Sequence, residues 1–507
     1  MCRKKVSLAG SITVFASLSL LLVASFLLAL LEAARVKGLE AYGHMQRVNA
    51  MESVFSEYDR DLFEAYGVFF LDGSYGEDTL MPSQINARLQ TVSQNNLRPV
   101  YAMQEWRNVV NFYQMDVSDA TVTGYLLATD CDGAPFRKMA ADSMRARYPA
   151  ELLQSLYNGF QAADQAMAQA NESRGAMDEA QENIRAAREE QARAAAAQTK
   201  EASSQPPAQV TVENPIDVVK ALKDADILTL VMPSGCSVSG KSIRGKETLE
   251  HRQLLQGNLS WQETERWYDT ILYQQFLQTQ FGCYREGRPG ERALDYELEY
   301  IEAGKQSDRE NLKSVVQKLL LLREGANFLY LQTDAVKRQE AYGVATALAA
   351  SVGIAPAAGL IAQGILAAWA YAESILDVRT LLSGGKIAWM KTTESWSSSL
   401  SGLGALLAGS ARAKEQENGE DYQGYLQKLL YLKSKRSLNY RAMDLMELRA
   451  GTDGNQTLRM DRMLLALQAE MTYVAEPLFS GMVTLQKLKT DQWEFSESVY
   501  YSYFSNK

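Results

Sequence analysis

The sequence predicts a helix-rich α+β protein hung from an N-terminal transmembrane helix, and three observations carry that prediction. Val6 to Leu31 is a run of 26 residues without a charge, directly after Arg3, Lys4 and Lys5. From residue 150 onward apolar residues recur mostly at spacings of three and four, the mark of helix faces. Short apolar runs closed by turn residues, such as Val68 to Leu71 before Asp72-Gly73, supply a few strands.

The uncharged run exceeds the roughly 20 residues that cross a hydrocarbon core. A cleaved secretory signal has an apolar region of only about 7 to 15 residues and ends in a small-residue site. This run is longer and is followed by Glu32 and Arg35, as in a permanent anchor. The basic cluster before it places the N-terminus in the cytoplasm and everything beyond about residue 32 outside. The expectation is a single-pass protein of the cell membrane, with lipid as its first partner.

Gly10-Ser11-Ile-Thr-Val-Phe15-Ala16 follows the short basic leader. That layout resembles the N-termini of tight-adherence (Tad/Flp) pseudopilins of the TadE/TadG type, and the resemblance implies processing between Gly10 and Ser11. Processed members carry a Glu five residues after the cleavage point. Here Phe15 occupies that place, which fits the uncleaved, anchor-type relatives. The other reading keeps Gly10 as a small residue of a membrane helix.

Beyond residue 31, Leu39, Tyr42, Met45, Val48, Met51, Phe55 and Tyr58 extend the helix outward as an amphipathic stalk. Residues 32–149 combine that stalk with alternating helix and strand, in which Val100, Tyr101, Val109, Val110, Val117, Val122 and Tyr125 mark apolar positions. Residues 150–203 read as one long, protruding, coiled-coil-like arm. Leu156, Ala163, Ala170, Met177 and Ile184 recur every seven, and Phe160 and Met167 follow the first two by four. Arg174, Gln181 and Arg188 then fall on that second seam. The arm is a spacer or oligomerisation element, or an Ala-rich solvated helical hairpin arm within one chain. Residues 204–215 form a linker in which Pro206 and Pro207 stop the helix.

Residues 216–507 read as a helix-rich exocytoplasmic body. A helix opens at Pro215, followed by a strand over Ile227 to Met232. Helices are expected over Trp261 to Thr279, Leu294 to Ala303 and Ser307 to Leu331, the last opened by the capping box Ser307-Asp-Arg-Glu310. Residues 341 to 372 carry no charge, yet they are rich in Ala and Gly and interrupted at Gly353 and Pro356. A buried helical hairpin is expected there, against a membrane or re-entrant role. Trp369 to Leu382, residues 421 to 447 and Arg459 to Phe479 keep helical spacing.

Leu294 to Ile301 (LDYELEYI), Leu322 to Tyr330 (LREGANFLY) and Trp369 to Arg379 (WAYAESILDVR) resemble a family of single-pass proteins from Firmicutes encoded beside tight-adherence pilus and secretion components. The Gly10 to Ala16 block, Tyr58 to Asp72 and Asn214 to Pro233 share the resemblance. It implies a cell-surface, Gram-positive setting in pilus assembly or anchoring. The partners it implies are other pilin-like membrane proteins, with self-association in addition, and it carries over no activity.

Chemistry is sparsely signalled. His44 and His251 are the only histidines in the 507 residues. Net charge is −9, and the N-terminal basic cluster makes the remainder more acidic still, which argues against a nucleic-acid partner. Cys2 precedes the apolar run, so it is no lipoprotein cysteine. Cys131, Cys236 and Cys283 allow one disulfide at most, and no pair has metal-clamp spacing. Gly235 to Ser242 (GCSVSGKS) matches a phosphate-loop pattern, but Gly245 breaks the helix that should follow. Glu297, Glu299, Glu302, Asp308 and Glu310, with Glu373 and Asp377, could pair as hydrolase acids beside Tyr296, Tyr300 and Trp369. Against that stands the ordinary role of such acids as partners of residues like Arg309 and Arg323. The expectation is a structural protein without cofactor or metal.

Overall fold

Residues 9–55 form a single helix. In the computed structural model, which describes residues 9–97, 112–198, 214–233, 235–262, 266–404, 409–455, 457–479 and 492–504, α1 runs unbroken over Ala9–Phe55. Leu, Ala and Ser dominate its first half, with no proline. Two hydroxyls on it are satisfied locally: Ser17 and Ser25 donate back to the carbonyls of Val14 and Leu22 at 3.0 and 2.9 Å. Arg3, Lys4 and Lys5, Tyr101, Val109, Val110 and most of the 204–215 linker lie outside the described residues.

The chain divides into two compact units. The first comprises Met1–Met139, Leu254–Glu263 and Asn455–Lys507; the second Ala140–Gln253 and Thr264–Gly454. The C-terminal strands therefore fold with the N-terminal helix, whereas the sequence grouped them with residues 216–507.

In the first unit α1 is followed by α2 (Arg60–Tyr66), β1 (Leu71–Asp72), α3 (Pro82–Leu97) and β2 (Met115–Leu127), and α4 (Asp130–Met144) runs past its last residue there, Met139. The expected strand at 68–71 is thus reduced to its last residue and Asp72. Asp59 caps α2 by accepting from the Leu62 N–H, and Gly67, at φ 68°, ends it. An antiparallel four-stranded sheet is completed by β3 (Met463–Ala475) and β4 (Trp493–Ser502). β3 is its spine, pairing β2 on one side and β1 and then β4 on the other. The outer half of α1 and α3 cover the sheet, and Leu39, Met51, Val54, Phe55, Leu89, Leu467, Met471 and Tyr473 close the core.

Arg459 to Phe479 is the clearest departure from expectation, a strand where a helix was read. From Leu467 the burial alternates: Ala469, Met471, Tyr473 and Ala475 are buried, with Glu470 exposed between them. A period of two was present beneath residues whose intrinsic preference is helical.

The second unit is built on α5 (Ala150–Gln198), α10 (Asp308–Thr333) and α12 (Ala358–Leu382), which pack together. Around them lie α6 (Pro215–Asp224), α7 (Ile227–Val231), α8 (Trp267–Gln280), α9 (Glu297–Ala303), α11 (Ala335–Ser351), and near the end α13 (Tyr422–Tyr431) and α14 (Lys435–Thr452). Asn214 caps α6 with Pro215 at its first turn, and Ser307 caps α10 by accepting from the Glu310 N–H, as the sequence indicated. Residues 227–231 form a short helix rather than a strand, burying Ile227, Leu228 and Val231. The uncharged stretch is a helical hairpin buried in its second arm: α12 is enclosed from Ile361 to Leu382 except at Gln363, whereas α11 buries only Ala341, Ala345, Leu348 and Ala349 and exposes Tyr342.

The long helix exists but does not stand free. Leu153 and Phe160 are buried near its start, and beyond them the buried positions are Ala163, Ala166, Ala170, Ser173, Met177, Ala180, Ile184 and Ala187. The second seam therefore falls three residues after the first, on Ala166, Ser173, Ala180 and Ala187, and not on Met167, Arg174, Gln181 and Arg188. Small residues on this seam let α10 and α12 approach closely. At Gly325 of α10 an added Cβ would lie 1.8 Å from the carbonyl oxygen of Ala166. Gly325→Ala should therefore cost the second unit at least about 1–3 kcal/mol by overpacking, read as a lower unfolding midpoint. An unchanged midpoint would show that α5 is not seated as described.

Candidate functional site

At the end of the apolar run, α1 is bolted to the sheet by three charged side chains on its buried face. Glu32 accepts from the backbone N–H groups of Leu478 and Phe479 at 3.2 and 2.7 Å and from the Trp493 indole at 3.1 Å. It also pairs with Arg35 at 2.8 Å. Arg35 donates to the carbonyls of Phe112, Tyr113 and Glu476 at 2.6, 2.7 and 2.9 Å. Three turns on, Arg47 donates to Met471 O at 3.0 Å and to Phe495 O, meets Glu497 at 3.2 Å, and lies 4.5 Å over the Tyr473 ring. Arg47 is 1% exposed. Charges so enclosed are tolerable because their hydrogen-bonding capacity is used by fixed partners.

N-terminal to this collar the helix is bare. Twelve large apolar side chains between Ile12 and Leu31 are more than half exposed, reaching 73% at Phe15. By length and composition this segment can cross a membrane. Gly10 and Ser11 lie within the first turns of α1. Glu32 and Arg35 were read only as the charged end of the span; Arg47 was missed. A signal existed, since residues 32, 35, 39, 43, 47, 50 and 54 share one face, and a charge on an otherwise apolar face marks a clamp.

The candidate hydrolase acids are engaged by neighbouring groups of the second unit. On α9, Glu297, Glu299 and Glu302 are all buried. Glu297 accepts from Gly282 N–H at 2.8 Å and from Arg292 at 2.8 and 2.9 Å. Glu299, with no exposure, accepts from Tyr284 N–H at 2.8 Å and the Tyr422 hydroxyl at 2.7 Å. Glu302 pairs with Lys318. Asp308 holds Ser239 Oγ at 2.6 Å and the N–H groups of Asp295 and Tyr296 at 3.0 and 3.1 Å. Glu310 is exposed beside Arg244 at 3.4 Å. Tyr296 accepts from Ser239 N–H, Tyr300 donates to Asp444 at 3.0 Å, and the Trp369 indole donates to Ser398. These carboxylates fasten loops to helices.

Glu373 and Asp377 belong to a second enclosed cluster. Lys391 reaches Glu373 at 2.8 Å and Asp377 at 2.7 Å, and Arg323 reaches Asp377 at 3.0 Å; all four side chains are fully buried. Two cations and two anions leave this group formally neutral. Burial would raise Asp377, but Arg323 and Lys391 hold its carboxyl below the usual range.

Burial pushes Glu299 up to about 7 and Asp444 to about 7. Both bind a proton more tightly folded than unfolded, so the stability they hold is complete below the ordinary carboxylate range and is lost as pH rises through about 7. Glu299→Gln should gain on the native protein by on the order of 2 kcal/mol between pH 5 and pH 8. Urea midpoints at both pH values measure it, and a pH-independent difference would contradict the assignment.

The phosphate-loop match is not built as one. Lys241 is held by Asp295 at 2.7 Å and by the Arg292 carbonyl at 3.0 Å, and Ser242 pairs with Ser307 in an isolated bridge. Cys131 and Cys236 are exposed and Cys283 is buried. No cluster of metal-ligating residues occurs among the described residues.

No curated protein and no solved structure matches the chain. The family of unknown function DUF5702 matches residues 206–475, more than half of its length, and the chain belongs to that family.

Proposed function

We propose that this protein is a membrane-anchored, pseudopilin-like structural component of a tight-adherence-type pilus or secretion apparatus, acting in assembly or surface anchoring. Its N-terminus is cytoplasmic and its bulk exocytoplasmic. The observation that carries the reading is α1 itself: one helix whose first half is bare and apolar and whose second half is clamped into a sheet by Glu32, Arg35 and Arg47. A bare apolar helix needs lipid or other apolar helices around it. The collar makes the helix and the first unit one rigid piece, so lateral packing of such helices would set the position of the folded unit outside.

The role is structural, because the buried acids are spent on loops. Photo-crosslinking residues placed at Phe15, Leu22 and Phe26 in native membranes should capture small pilin-like membrane proteins or a second copy of this chain, identified by mass spectrometry. Capture of lipid alone at all three positions would remove the assembly reading while leaving the anchor.

A further inference from the structure

A cleft of about 650 Å³ in the second unit is walled by α5, the end of α6, α10 and α12. Its size falls within the ordinary range of small-ligand sites. Four cationic side chains line it, Arg174, Lys223, Lys313 and Lys318, against one acid, Asp178. Met177, Leu321, Ile227 and Tyr371 supply an apolar floor.

Three of the cations have carboxylate partners that are not among the lining residues. Lys313 pairs with Asp226 at 3.1 Å, Lys318 with Glu302, and Arg174 with Glu324 at 3.5 Å. Lys223 differs. Among the described residues no carboxylate lies within ion-pair distance of it; its ammonium meets the Met177 sulfur at 3.9 Å and the Tyr371 ring at 4.6 Å. Burial draws its ammonium below the usual lysine range. Among the described residues the Tyr371 hydroxyl has no hydrogen-bond partner, and Tyr371 lines the same cleft. Glu324 has no exposure; burial raises its carboxyl, while Lys223 and Arg174 lower it.

We propose that this cleft binds a small organic anion, a phosphate monoester or carboxylate with an apolar body. The head group is seated between Lys223 and Arg174, with the Tyr371 hydroxyl as a further donor, and the apolar part lies along Met177 and Leu321. A charge-assisted hydrogen bond to a desolvated ammonium supplies the affinity, and the floor supplies the preference for an anion with a hydrophobic body. The site is independent of the membrane reading, since every residue in it belongs to the second unit.

The test is calorimetric titration of the full chain in non-ionic detergent with phenyl phosphate, inorganic phosphate and benzyl alcohol. Phenyl phosphate should bind saturably at one site per chain, inorganic phosphate about tenfold more weakly, and benzyl alcohol not at all. Lys223→Met should weaken phenyl phosphate by about tenfold or more, while Lys220→Met, which removes an equal charge from the same helix outside the cleft, should leave it unchanged. Should Lys223→Met not fold, Arg174→Met reads the same loss. To separate free from lipid-borne ligands, phosphatidylglycerol vesicles should compete only if the head group of a lipid enters. Absence of saturable binding by phenyl phosphate, or equal losses in the Lys223 and Lys220 variants, would overturn the proposal.

Discussion

A chain shortened to begin at Glu32 is expected to leave the membrane fraction entirely while its first unit stays folded. Twelve large apolar side chains between Ile12 and Leu31 are more than half exposed. Burying each in hydrocarbon is worth roughly 1–2 kcal/mol, so the segment holds the chain to a bilayer by on the order of 10–20 kcal/mol. No other described helix offers lipid a comparable surface, because the second apolar helix, α12, is 83% buried over its most hydrophobic window. Removing residues before Glu32 leaves the collar, with its bonds to Phe479, Trp493, Tyr113 and Glu476, in place. Fractionation after carbonate washing, with a melting curve of the released protein, checks both halves. A shortened chain that stayed with the membrane would place the anchor elsewhere.

Arg323→Met should be the most damaging single substitution in the second unit. Arg323 serves Asp377, Asn327, the Trp389 carbonyl and the Tyr425 hydroxyl at 2.8–3.0 Å with no exposure. Its loss converts a neutral buried cluster into one carrying a net negative charge, and strands several acceptors. Breaking a buried pair by removing one partner costs about 3–5 kcal/mol. A second change, Asp377→Leu, restores charge balance with Lys391 and Glu373 alone and should recover part of the loss. Urea unfolding of the single and double variants measures it. A double variant less stable than Arg323→Met would show that the cluster is held by shape and not by charge balance.

Where a local rule is strong, the residues could be read directly. Asn214-Pro215 and Ser307 were legible as caps because the side chain that satisfies the first N–H groups is adjacent in sequence. The hairpin around residues 351–357 was legible from Gly353 and Pro356 breaking an uncharged run. Ile227 to Val231 was not, because a short apolar run fits a buried strand or a helical turn equally well. β3 was misread because Leu, Met and Ala favour helix, and only its pairing with strands far away in sequence, chiefly β2 some 340 residues upstream and β4 about 20 downstream, decides the matter. The second seam of α5 was misplaced by one residue because Ala166, Ser173, Ala180 and Ala187 are too small to stand out as a hydrophobic stripe. The acids of α9 were visible, but their partners, the N–H groups of Gly282 and Tyr284, carry no mark in the sequence.

The native thiols give the most direct measurement of the central claim, that a bare apolar helix holds this protein in the membrane with its folded units outside. Wall-stripped intact cells are treated with a membrane-impermeant maleimide, and the protein is then recovered from carbonate-washed membranes. Cys131 and Cys236, both exposed, should be labelled, Cys283 only after denaturation, and Cys2 only after lysis. Labelling of Cys131 and Cys236 that required lysis, or a protein absent from the washed membranes, would contradict the account.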